Sequence, residues 1–136
     1  MKDYSIELVE ERAYVHVRVR GVWSTVTAPL IMSDVIAYHN PQKHRGLVVD
    51  SSEIEIKTSI VDDFFFTREF VEIGYLEVKK FALVVPTMDG LEEHHRFFRN
   101  ASSNLGINLR LMRNVQEAIV WIKEDGARPG GAVHLI

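Results

Sequence analysis

Ala13-Tyr14-Val15-His16-Val17-Arg18-Val19-Arg20 alternates small or β-branched apolar residues with aromatic, imidazole and cationic ones. A period of two is the signature of a strand with one buried face. Upstream, Tyr4 to Leu8 supplies a partner strand across Val9-Glu10-Glu11-Arg12, and Gly21 marks the end of the second strand. Downstream come three short apolar runs: Leu47-Val48-Val49, Phe81-Ala82-Leu83-Val84-Val85 and Ile107 to Leu111. Asp50 and Pro86 close the first two, and helix-length patterns separate and follow all three. An alternating hairpin followed by repeated helix-strand units predicts an α/β domain. Its mixed sheet has four to five strands, antiparallel in the N-terminal hairpin and parallel beyond it, with crossover helices packed on it. Val15, Val17, Val48, Leu83 and Val84 are expected in the core, and Asp50 at the C-terminal end of its strand.

Four helices are expected between these strands. Ser24-Thr25-Val26-Thr27 offers N-cap candidates, Pro29 suits a first helical turn, and Ile31, Val35 and Tyr38 recur at inward spacing until His39-Asn40-Pro41 ends the helix. Ser51 to Lys57 reads as a polar loop studded with Ile54 and Ile56, and a second helix runs from about Thr58 to Leu76. Leu91, His95, Phe98, Ser102 and Leu105 mark a third, ended by Gly106. Asn114 and Glu117 form an N-x-x-E variant of the capping box ahead of the amphipathic Val115, Ala118, Ile119 and Ile122. Residues 1–125 are expected to form one domain, and 126–136 a flexible C-terminal tail that begins with Gly126-Ala127-Arg128-Pro129-Gly130-Gly131.

Composition excludes several function classes. At 136 residues the chain fits one domain, and such a domain buries about 68% of its unfolded surface. A formal charge of -3 gives no electrostatic case for nucleic acid. Without cysteine there is no disulfide, thiol catalysis or thiolate metal site. The start, Met1-Lys2-Asp3-Tyr4-Ser5, shows no secretion signal, and no apolar run approaches the roughly 18 residues of a membrane span. A cytoplasmic protein is expected.

The order of elements resembles the STAS fold (sulfate transporter and anti-sigma antagonist), especially small bacterial proteins related to anti-sigma factor antagonists. The resemblance runs from Tyr4 to about Lys123. It rests on the hairpin, on Gly46-Leu47-Val48-Val49-Asp50 as the family's strand ending in Asp, on Phe81-Ala82-Leu83-Val84-Val85, and on Leu109 to Ile122 as the last strand and helix. In such antagonists a phosphorylatable Ser sits in an Asp-Ser-Ser-Gly segment at the start of the helix after that strand. Here the matching position is Thr58-Ser59-Ile60-Val61, so Ser59 stands for the phosphorylated serine and Thr58 for the Asp before it; the second Ser and the Gly are absent. Asp50-Ser51-Ser52 carries similar letters, directly after the strand. A phosphate at Ser59 would lie near a helix N-terminus, where free N–H groups and the dipole accommodate charge, although Asp62 and Asp63 oppose it. The same Thr58 or Ser59 serves equally as a plain N-cap. The resemblance implies a non-catalytic regulatory domain whose protein partner is an anti-sigma factor or a kinase, with no cofactor and no metal.

The run Phe64-Phe65-Phe66 fans its rings over about 200° of helix, wider than one sheet-facing stripe. An association surface of Phe65, Phe66, Phe70 and Ile73 is therefore expected, most simply a homodimer. The alternatives are a cover within the chain, or an apolar ligand, which would make the protein a small-molecule or lipid carrier. Other clusters are less specific. Glu92-Glu93-His94-His95 lacks the i, i+4 histidine spacing of a zinc helix. His16, Arg18 and Arg20 form a cationic row that either binds an anion or is the wet face of an antiparallel edge. Asp34, His39 and His44 supply acid and base types without a placed nucleophile.

Overall fold

The computed structural model describes residues 3–85 and 91–124. The chain opens with β1 (Tyr4–Glu11) and β2 (Val15–Trp23), an antiparallel pair whose register shifts between Leu8 and Glu10. It continues through α1 (Thr27–Ile36), β3 (Leu47–Ile56), α2 (Ile60–Ile73), a single 3-10 turn (Tyr75–Glu77) and β4 (Phe81–Val84). It then runs through α3 (Leu91–Asn104), β5 (Leu109–Met112) and α4 (Val115–Lys123). The sheet has five strands in the order β1-β2-β3-β4-β5, and every pair after the hairpin is parallel. This is the mixed α/β architecture that the alternation and the apolar runs predict. The expected tail, 126–136, lies outside the described residues.

Sequential strand order dictates where the helices lie. Each β-α-β crossover steps the same way along the sheet, and right-handed crossovers stepping one way put their helices on one face. Accordingly α1 packs on α2 and α2 on α3. Beneath them Val15, Val17 and Val19 of β2 meet Leu47 and Val49 of β3, with Ala28, Ile31, Met32 and Val35 of α1 above. The fourth helix follows the last strand, crosses no further, and covers the other face, where Ala118, Trp121 and Ile122 bury Tyr14, Val48, Ala82 and Val84. Gly46 admits this contact: a Cβ there would collide with the Ile122 side chain and come 2.8 Å from the Lys80 carbonyl.

Several local expectations change. Ser51 to Ile56 is strand rather than loop, because the second half of β2 offers it a ladder: Arg20 pairs with Glu53, Gly21 with Ile54, Val22 with Glu55 and Trp23 with Ile56. Ile54 and Ile56 alternating with Glu53 and Glu55 are strand periodicity, which the polar content disguised. Asp50 is therefore inside a ten-residue strand, not at its end. The second helix is also shorter than Thr58–Leu76, since Gly74 at φ 120° breaks it and a 3-10 turn takes over. Finally, β2 is no edge. It is bonded on both sides, so His16 is buried instead of lying on a wet face. Leu83 is half-buried, whereas Val15, Val17, Val48 and Val84 are fully in the core.

Candidate protein-interaction site

The parallel strands β2 and β3 end together, with the Lys57 N–H donating to the Trp23 carbonyl at 2.8 Å. From there the chain needs two residues, Thr58 and Ser59, to enter α2. Thr58 is half-buried and Ser59 is exposed. Ser59 is extended, at φ -99° and ψ 173°, and caps the helix. Its Oγ accepts from the Asp62 N–H at 3.2 Å, and the Asp62 carboxylate accepts from the Ser59 N–H at 2.9 Å. This reciprocal capping box satisfies donors that the first helical turn leaves open. Ser59 is thus an N-cap, and the cap leaves its hydroxyl exposed at the positive end of a helix dipole.

A second feature at this end of the sheet is missing from the sequence expectations. Val26 and Leu30, one turn apart at the start of α1, are 72% and 52% exposed. Ser24 holds the chain just ahead of that helix: its hydroxyl accepts from the N–H groups of Val26 at 3.3 Å and Thr27 at 3.1 Å. The outward i, i+4 apolar pair was legible, but the inward Ile31 and Val35 stripe attracts attention first.

Along α2 the expected association surface divides. Phe70 is 4% exposed and belongs to the core, edge-on to Tyr75 at 4.6 Å and to Phe81 at 5.6 Å between ring centres. Its ring faces β4 of the sheet, so a surface that includes Phe70 is not available in the folded chain. Ile73 is half-buried and, with Arg68, Glu69 and Glu72, lines a cavity of about 600 Å³. Among the described residues that line it, Ile73 is the one apolar side chain. Phe65 and Phe66 lie on the helical stretch, but their side chains fall outside the described residues.

Asp34, His44, Arg18 and Arg20 are engaged elsewhere. Asp34 accepts from the Tyr4 hydroxyl at 2.6 Å. The His44 ring accepts the Asn40 N–H on Nδ1 at 2.9 Å, which leaves Nε2–H to donate to Glu11 at 2.8 Å. Burial holds His39 below the usual imidazole value, with the nearby His44 adding to the effect. Arg18 and Arg20 pair with Glu7, Asp50 and Glu53 instead of presenting a free cationic row. Of Glu92-Glu93-His94-His95 only the exposed Glu93 side chain is described. Among the described residues no three acidic or histidine side chains converge as a metal site.

No family model matches the sequence, and no curated protein matches it. Among solved structures, an anti-sigma factor antagonist from Mycobacterium paratuberculosis superposes with a TM-score of 0.58 at 16% identity. The match covers 89% of this chain and 95% of that one. With a five-stranded mixed sheet opened by an antiparallel hairpin and the same layout over nearly the whole length, this chain has a STAS-like fold.

Proposed function

We propose that this protein is a non-catalytic regulatory domain that docks a protein partner, an anti-sigma factor or a kinase, at the N-terminal end of α2. The reading rests on one observation: an exposed serine hydroxyl caps α2 just beyond the ends of β2 and β3, in a fold shared with an anti-sigma factor antagonist. Val26 and Leu30 supply an apolar flank for the partner, which is met in the cytoplasm. Phosphorylation of Ser59 is the switch, and its chemistry follows from the capping box. The Asp62 carboxylate already occupies the Ser59 N–H. A dianionic phosphate on the neighbouring Oγ repels that carboxylate and competes for the same donors. The box opens, the first turn is rebuilt, and a doubly charged group stands on the docking surface. A homodimer through Phe65, Phe66 and Ile73 is part of the same proposal.

The test places a photo-crosslinking residue at Thr58 in cells and identifies what it captures. An anti-sigma factor or kinase should be recovered. With that partner purified, Ser59→Asp should weaken binding at least about tenfold, or about 1.4 kcal/mol. Ser59→Ala should retain binding while losing about 1 kcal/mol of stability from the missing cap. A Ser59→Asp protein that binds as well as wild type would sink the switch, and no specific crosslink would sink the docking surface.

A further inference from the structure

The face of the sheet opposite α1, the face on which α4 packs, holds a buried imidazole that the docking site does not use. His16 is 5% exposed, and its Nε2 is enclosed with no hydrogen-bond partner among the described residues. Charged groups stand near it on β1, β2 and β3. Across the hairpin stands Glu10, directly opposite in register, with Glu7 further along β1. Along its own chain the neighbours on the same face are Arg18 on β2 and Tyr14 just ahead of it. On the β3 side Val48 lies opposite and Asp50 is the next residue on that face. From α4, Lys123 holds its Nζ 5.9 Å over the Tyr14 ring.

Every anion in this set is already committed. Glu10 accepts the Tyr14 hydroxyl at 2.6 Å and pairs with Arg12. Asp50 accepts from the Ser52 hydroxyl at 2.7 Å and meets Arg18 at 3.5 Å. Glu7 pairs with Arg18 at 3.1 Å and Arg20 at 3.6 Å. A neutral His16 is tolerated in this lattice. A protonated ring carries a donor on both nitrogens and a charge that burial penalises. It must take an acceptor from an existing pair or reach water. The least secured wall is β1, an edge strand whose register breaks at Val9, between Leu8 and Glu10.

We infer that His16 is a proton-operated latch on the hairpin, closed while the ring is neutral and released at the Val9–Glu11 end of β1 when the ring takes a proton. Burial, the dominant influence, holds the folded ring below its ordinary value of 6.5, the repulsion from Arg18 adding to it and the attraction of Asp50, Glu10 and Glu7 offsetting part. The sign follows. Above 6.5 the ring is neutral whether the hairpin is closed or open, and the latch holds. As pH falls below 6.5 the open form gains protons that the closed form refuses, until the folded value is passed. Within that window the open population rises by up to about tenfold per pH unit.

The experiment follows the imidazole resonances of the wild-type protein by NMR, assigns His16 with His16→Gln, and measures hydrogen exchange of the hairpin at about pH 7 and 5.5. His16 should titrate below 6.5. Exchange at Glu10 and Glu11 should rise severalfold on acidification beyond the intrinsic chemistry, with β3 and β4 still protected. His16→Gln should abolish that rise, whereas His44→Gln should keep it, although His44 also holds Glu11. A His16 that titrates at or above 6.5 overturns the latch, as does a rise that survives in His16→Gln or disappears in His44→Gln. If His16→Gln does not fold, the wild type decides alone, since equal protection of β1 at both pH values also overturns the latch.

Discussion

Asp50 is a carboxylate enclosed by the sheet and kept ionised by its neighbours. Burial pushes its protonation upward, but the Ser52 hydroxyl and amide, at 2.7 and 3.1 Å, and the Arg18 guanidinium outweigh it, and the net direction is down. Asp50→Ala should therefore cost about 1.5–3 kcal/mol near neutral pH, the contribution of hydrogen bonds to a charged group. In the wild type that contribution is complete above the ordinary carboxylate value of 3.8 and is lost as pH falls through the lower folded value. Urea denaturation should show the gap between wild type and variant narrowing as pH falls below the ordinary carboxylate value of 3.8. A gap unchanged in acid would mean that packing, not charge, is what Asp50 provides. The two polar sites differ in how far sequence reveals them. Ser59 and Asp62 are three residues apart, so a capping role is local and legible. Asp50 and Arg18 are 32 residues apart, and only strand register brings them together.

At the scale of elements, the docking of α4 on β3 depends on one missing side chain. A Cβ on Gly46, just before Leu47 starts the strand, would collide with the tip of the Ile122 side chain and come 2.8 Å from the Lys80 backbone carbonyl, which cannot turn away. Gly46→Ala should force the helix outward and cost about 1–3 kcal/mol, in the range of overpacked cores. Fluorescence of Trp121, buried on the same helix, reports the shift together with the denaturation midpoint. A variant as stable as wild type would show that α4 can slide without loss. The helix itself was legible, because Asn114 accepts the Glu117 N–H at 2.9 Å in the N-cap role its position predicts. Its face was not, since an amphipathic pattern specifies that a stripe is buried but not against which side of a sheet.

At the scale of the fold, the described residues put three helices on one face of the sheet and one on the other, and α2 lies in the middle of the crowded face. With Phe70 in the core, the association proposed for α2 falls to Phe65, Phe66 and Ile73. Burying a phenylalanine contributes about 1.5–3 kcal/mol, and two-fold symmetry counts each ring twice. Phe66→Glu should give a folded monomer in sedimentation, with the circular dichroism of the wild type. A wild type that is monomeric at high concentration would remove the homodimer. A variant that unfolds would assign Phe66 to the core beside Phe70.

The amino-acid sequence determined by itself the identity and order of the elements, the hairpin, the parallel continuation and the caps at Ser59 and Asn114. The elements and caps are local, set by periodicity or by hydrogen bonds within a few residues, and the parallel pairing follows from their order, since a helix between two strands returns the chain in the same direction. Tertiary structure alone decided that Ser51 to Ile56 extends β3, because an acidic, alternating segment becomes strand only when a neighbour such as the end of β2 offers a ladder. It likewise decided that Phe70 turns inward and that His16 is enclosed. Burial is a property of what lies across the gap, and the residues that close those gaps are distant in sequence.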